Sequence, residues 1–544
     1  MNDEIKGIID RWLEANPGVA HGLGIHRYDG RLPNFSLEAI NLRLQQIQED
    51  LDKVDTFLQK TGDKFQQFEM TLIRYSLLTE KFRLAEEKAF KDNPLEYIFP
   101  LTTIETSYAS RSFGTVEKRI ESIISIENTI PQFLNTAVEN LDENLSNVKV
   151  TMSIQFLKGI LSYLKDRLIA FVVQTDDEHL IENWSQANII ACDALSNFLR
   201  KLENKYLPKS TSEFKLGEEK FLKMLNMTEN VDLDVDTLLK IGEEDLERNY
   251  NKMMNLLERR GADFLQKVRS DHSSVESLLN DARKGLDRTR NWLIEADIVD
   301  LPTDRQCEVI DTPEFARSFG FAAMNTPGPF ESPEASEAYY WVTPPDSKWS
   351  KEKQEEFLQF FSRAFMETVT IHEVWPGHYL QLLYNRESKS EISKIFARSI
   401  TMIEGWAHYC EEMIFESGYA PFDRDILHAG QLMGALIRNC RYIVAIKMHC
   451  RDMSIEEAKE LFMRKGFMNE PTATIEARRG TVNPMYLNYS LGKFLIKKLR
   501  EDYKNEQGSN FSLKKFHNLL LSYGSPPIVA LRKLILENQN ATLL

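Results

Sequence analysis

From Asn2 to about Val299, apolar residues recur at three- and four-residue intervals, the spacing that puts one face of a helix toward a core. Leu37 to Leu58, Phe65 to Phe90, Val116 to Ile130, Ile154 to Val173 and Asn183 to Leu207 all follow this pattern. Turn residues interrupt it at Asn16-Pro17-Gly18, Tyr28-Asp29-Gly30, Asn93-Pro94 and Leu207-Pro208. The period changes between Leu301 and Pro345, where prolines at 302, 313, 327, 329, 333, 344 and 345 exclude a continuous helix. Within that span, Cys307-Glu308-Val309-Ile310 and Ala338 to Thr343 have the β-branched and aromatic content of short strands. Helical spacing resumes after Ser350 and continues to the C-terminus. The pattern predicts a large, mostly α fold with a small β element. It divides into a helical scaffold lobe over 1–300 and a second lobe over 301–544 that carries the candidate chemistry, the two interlocked around a cleft.

Composition narrows the functional classes. The 544 residues are 42% hydrophobic and 27% charged, an ordinary globular balance. A net charge of −15 without a Lys/Arg run argues against nucleic acid as a partner. No stretch approaches the roughly 18 apolar residues of a membrane span, so no membrane partner is expected. The opening Met1-Asn2-Asp3-Glu4 lacks the basic and apolar regions of a secretory signal. The five cysteines are scattered without CxxC spacing, which fits reduced core thiols. These features together give an expectation of a cytoplasmic protein.

The chemistry concentrates in two segments. His372-Glu373-Val374-Trp375-Pro376-Gly377-His378 follows an apolar run from Phe365 to Ile371, which places the first histidine on a buried helix. Histidines four apart on a helix lie about 40° from one another, whereas a six-residue separation sets them about 120° apart. One ion is out of reach of both on an undisturbed helix. Pro376 and Gly377 supply the remedy, because proline breaks the hydrogen-bond ladder and glycine accepts almost any backbone angle. A bulge or kink there returns His378 to the face of His372. Downstream, Glu404, His408 and Glu411 share one helical face. Zinc in hydrolases commonly takes two His and one Glu and leaves a fourth position for water, so His372, His378 and Glu404 form the expected ligand set for one Zn²⁺ per chain. Glu373 is then the expected base that activates water. Glu411 is positioned to accept a hydrogen bond from a liganding imidazole, and His408 either contacts substrate or replaces a ligand.

These residues resemble a bacterial and archaeal family long carried as a domain of unknown function, marked by HExxPGHxxQ and EGWAxYxE. The motifs read here as His372 to Gln381 and Glu404 to Glu411. Further matches at Gly24 to Gly30, Leu239 to Glu243, Tyr340 to Pro345 and Tyr486 to Lys493 extend the resemblance over nearly the whole chain. The family looks like a divergent gluzincin, a class of zinc metallopeptidases with two His and one Glu as ligands, and implies a gluzincin-like helical fold and peptidase activity. Two departures stand out. Ala445 replaces a common Asp in the segment that runs from Arg441 to His449, and Gly480 replaces the Tyr of a Glu-x-x-Arg-Tyr pattern at Glu476.

The expected reaction is hydrolysis of small peptides. A phenol suits the oxyanion it generates, with Tyr489 the first candidate and Tyr486 the second. The strand at Tyr339 to Val342 is expected to add an extended peptide to a sheet edge, with Tyr340 facing substrate. Arg441, Arg478 and Arg479 are candidates to hold a terminal carboxylate, and His449 is a further candidate contact. Three alternatives remain open at this stage: zinc-dependent hydrolysis of a non-peptide amide or ester, a binding or scaffold protein with a relic metal site, and a purely structural helical protein that binds no zinc. Residue preference, exo- or endopeptidase action and oligomeric state are likewise open.

Overall fold

The structure, a computed structural model, describes residues 3–313, 317, 320–538 and 542–544. Helices account for 72% of it, and the fold is mostly α. The chain forms two compact units, each assembled from separated stretches. One takes the chain up to Lys60, Ser76–Phe214 and Pro327–Glu337; the other takes Thr61–Tyr75, Lys215–Thr326 and Ala338 onward. Residue 300, the expected lobe boundary, lies inside the second unit.

The first unit is built on helices Leu37–Lys60, Val116–Asn140, Asn147–Asp166 and Glu178–Lys201. Thr115 and Asp177 cap two of them by accepting from the amides of Lys118 and Leu180. Ile120, Ile123, Ile130 and Leu134 on one helix and Ala191, Leu195 and Phe198 on another enter one core, which is the periodic stripe of the sequence turned inward. Several predicted helices end earlier than their pattern. Lys64–Lys81 passes into a wide turn at Phe82–Glu87, and Glu178–Lys201 does the same at Leu202–Tyr206.

The second unit holds a three-stranded sheet in the order β1-β3-β2, with β1 Glu308–Asp311, β2 Ala322–Asn325 and β3 Tyr339–Val342. β1 runs parallel and β2 antiparallel to β3. The expectation that Tyr339 to Val342 offers a free edge for a peptide is therefore corrected: both sides of β3 are already paired, and added strands would meet β1 or β2 instead. Helices Leu278–Ala296 and Arg363–Glu373 pack against the sheet, and the unit also holds helices His378–Glu387, Ile400–Glu416, Arg424–Cys450 and Asn488–Gln507. Arg424–Cys450 is buried from Leu427 to His449 on nearly every face, so its sequence carries little polar alternation. Ile400–Glu416 and Asn488–Gln507 meet backbone to backbone, because a Cβ on Gly405 would stand 2.4 Å from the Cα of Gly492. Behind that contact, Lys493 is wholly buried, with Nζ 3.2 Å from Asp245 and 3.4 Å from Glu412. No described helix is long and apolar enough to cross a membrane.

Candidate metal centre

The helix that begins at Arg363 is buried from Ala364 to His372 and stops at Glu373. Val374 to Gly377 form a turn, and a new helix starts at His378. The six-residue separation is thus resolved by a complete break. It brings the two imidazoles to 4.7 Å between ring centroids, with their planes 81° apart. Only glycine fits at 377, since a Cβ there would lie 1.8 Å from the carbonyl oxygen of His372. The two motifs brace one another. Trp406 Nε1 donates to the Pro376 carbonyl at 2.9 Å, and Gln381 Nε2 donates to the Met402 carbonyl at 3.3 Å.

Glu404 completes the group, with ligand atoms of all three side chains within 4.8 Å of one another. Its Oε2 lies 3.5 Å from His372 Nε2 and 3.6 Å from His378 Nε2. That oxygen is buried and has no hydrogen-bond partner. Such separations are long for hydrogen bonds but close to the edge of a zinc tetrahedron, which is about 3.4 Å for bonds of about 2.05 Å. An orphaned carboxylate oxygen facing two imidazole nitrogens fits a divalent cation of the zinc type.

Behind the group, His372 Nδ1 is 2.7 Å from Glu411 Oε1, so Nδ1 donates to that carboxylate and leaves Nε2 to face Glu404. Arg438 Nη2 lies 2.8 Å from the same Glu411 oxygen, and His408 Nδ1 lies 3.1 Å from Oε2. Burial alone would raise the Glu411 carboxyl, but Arg438, His408 and His372 outweigh it and hold it well below the usual range. Burial, reinforced by Lys493, brings His408 down to about 4. His408 is therefore a neutral support for Glu411 and stands outside the ligand group. Glu373 has its carboxyl raised by burial, feels the charges of His372, His378 and Glu404, and has no hydrogen bond or ion pair among the described residues.

The other candidates divide clearly. Tyr489 stacks over His372 at 6.2 Å between centroids, and Glu404 acts on its phenol. Its hydroxyl has no hydrogen bond among the described residues. Tyr486, in contrast, donates to Glu476 Oε2, and its hydroxyl is committed there. Arg441 is also committed, through Nε and Nη2 at 2.7 and 2.8 Å to the two Glu476 oxygens. His449 receives the Leu216 amide on Nδ1 at 3.3 Å and meets the Gly480 carbonyl through Nε2 at 3.0 Å, so both ring nitrogens are engaged in pinning backbone segments. Tyr340 is wholly buried, its hydroxyl 3.1 Å from Thr370 Oγ1, which removes it from substrate contact. Arg478 is exposed and Arg479 part-buried. Sequence reasoning missed Arg438. The available signal was an arginine inside the apolar stretch Gly434 to Ile446, because a charge on a buried face requires a partner.

Among the described residues a second group, His21, His26 and Asp29, also has ligand atoms within 4.8 Å of one another. Its atoms satisfy each other. Asp29 meets the Nδ1 atoms of His21 and His26 at 2.7 and 2.9 Å, His21 Nε2 meets Ser107 at 2.7 Å, and His26 Nε2 meets Glu331 at 3.1 Å. Burial lowers His26, but Asp29 and Glu331 more than compensate and raise it to about 9. The group is a hydrogen-bonded imidazolium that ties Glu331 to the turn before Gly30, and it leaves no ligand atom orphaned.

Fold and site define a mostly helical protein in which two histidines and a glutamate converge on one point. The family model for a bacterial protein of unknown function, DUF885, matches residues 17–535, and the chain belongs to that family. No curated protein matches. Two solved structures share the fold. A "putative lipoprotein of unknown function" from Shewanella oneidensis is 24% identical over 98% of both chains with a TM-score of 0.81. A "putative lipoprotein" from Colwellia psychrerythraea is 18% identical over 96% of both chains with a TM-score of 0.79.

Proposed function

We propose that the protein is a zinc-dependent hydrolase of small peptides, related in its ligand set to the gluzincin metallopeptidases. The observation that carries this reading is the orphaned Glu404 oxygen, which faces His372 Nε2 and His378 Nε2 with the uncommitted Glu373 carboxylate in the same site. His372, His378 and Glu404 would hold the ion. When bound, zinc supplies Lewis acidity and lowers the pKa of water.

The chain's own residues do the rest. Glu411, itself held by Arg438, accepts from His372 Nδ1 and so turns Nε2 toward the ion. Glu373 takes a proton from the attacking water as its oxygen adds to the substrate carbonyl carbon, then returns that proton to the amine nitrogen as the C–N bond breaks. The Tyr489 phenol donates to the oxyanion that develops on the substrate.

The test combines metal content with turnover. Elemental analysis is expected to find one zinc per chain in the wild type and none in His378→Ala. Glu373→Gln should keep the zinc and lose about 100-fold or more of its peptide hydrolysis. A wild type that takes up no zinc on reconstitution, or a Glu373→Gln variant as active as wild type, would refute the reading.

A further inference from the structure

Three arginines gather around Tyr486 and Tyr489 beside the candidate metal centre, and two of them already have their anion. Arg438 is held by Glu411 and Arg441 by Glu476. The third, Arg479, has no hydrogen bond or ion pair among the described residues. Its guanidinium lies 5.1 Å from the centre of the Tyr486 ring. Glu476, the nearby carboxylate, is taken up by Arg441 on both oxygens and by the Tyr486 hydroxyl. Arg479 is close enough for its charge to act on the Tyr489 phenol, and Tyr489 stacks on His372. A part-buried guanidinium that has lost water and rests on an aromatic face still lacks hydrogen-bond acceptors, and the ligand chemistry that best supplies them is a carboxylate, gripped by two parallel N–H donors. The Arg441–Glu476–Tyr486 assembly meanwhile fixes the face against which Arg479 rests.

We propose that Arg479 reads the free C-terminal carboxylate of the substrate, so that the site acts on short peptide acids close to their C-terminus. This rests on the peptidase reading above and narrows its substrate class. Arg479 would be a specificity residue with no part in bond cleavage. Losing it should raise KM for acids and leave the bond-breaking residues intact.

The experiment compares matched short peptides with a free or an amidated C-terminus, using zinc-loaded wild type, Arg479→Met and Arg479→Lys. A charge-assisted bidentate contact corresponds to about 10- to 100-fold in affinity. Wild type is expected to favour the acid by that factor in kcat/KM. Arg479→Met should lose the preference through KM, with zinc content, melting temperature and amide turnover unchanged. Arg479→Lys, which keeps the charge without the planar fork, should retain part of it. Equal cleavage of acid and amide by wild type, or a preference that survives in Arg479→Met, overturns the inference and leaves the peptidase reading standing. If zinc-loaded wild type cleaves neither peptide, the peptidase reading fails on its own. Calorimetric binding of the same pair to Glu373→Gln protein, with and without Arg479→Met, then still decides the inference: equal affinity for acid and amide refutes it.

Discussion

Gly377→Ala tests the turn that brings the two histidines together. Gly377 has φ −70°, so an alanine there meets no conformational barrier in φ. The obstacle is steric. The added methyl would stand 1.8 Å from the His372 carbonyl oxygen, 2.4 Å from its carbon and 2.5 Å from the Ile371 oxygen, all of them backbone atoms that no rotamer change can move. Relieving the closest contact only to 3.0 Å takes a displacement of about 1.2 Å. Metal–ligand bonds tolerate about 0.2 Å, and His378 is the next residue along the chain. Overpacking of this kind costs about 1–3 kcal/mol of stability, which the fold survives. The metal site should not, and zinc affinity is expected to fall by about 100-fold or more. Competition against a chromophoric chelator gives the affinity, and a thermal melt confirms folding. Gly62→Ala, where nothing lies within 4 Å of the new Cβ, is the control that should change neither. A folded Gly377→Ala protein with wild-type zinc affinity would refute the idea that this turn sets the ligand geometry.

Other consequences can be checked independently. Tyr489→Phe is expected to lower kcat by about 10²-fold or more with zinc content unchanged, and steady-state kinetics decide it. Lys493→Met removes the buried cation shared by Asp245 and Glu412 and should cost about 3–5 kcal/mol, read as a shift in the urea midpoint. Burial raises Glu127 from 4.5 to about 8 despite its hydrogen bond from Asn188. Between those pH values the unfolded carboxyl has lost its proton while the folded one retains it, so stability falls by about 1.4 kcal/mol per pH unit as pH rises. Glu127→Gln should flatten that dependence in urea titrations from pH 5 to 8 and be the more stable form at pH 8.

Much of the helical architecture was legible because amphipathic stripes such as Ile120-Ile123-Ile130 leave a periodic trace. β2 was not, since Ala322-Ala323-Met324-Asn325 has no β-branched or aromatic residue and is a strand only because β3 pairs with it. Strand order is equally silent in sequence, which is why β3 looked like an edge. Within the site, Glu411 was readable from its spacing to Glu404, since both lie on one helical face. The fates of Arg441, Tyr486 and His449 were not readable, because each is decided by a partner on a different element: Glu476 for the first two, and the backbone of Leu216 and Gly480 for the third.

The contact between Gly405 and Gly492 fixes Glu404 in an unusual way. Most side chains in a core owe their location to the bulk of their neighbours, and a changed methyl group shifts them. Here two main chains touch directly, so the residue beside Gly405 is referenced to peptide backbone and has no side-chain cushion to adjust. The neighbouring core can therefore be repacked with different volumes while Glu404 keeps its coordinates. Replacing either glycine, by contrast, would move it at once.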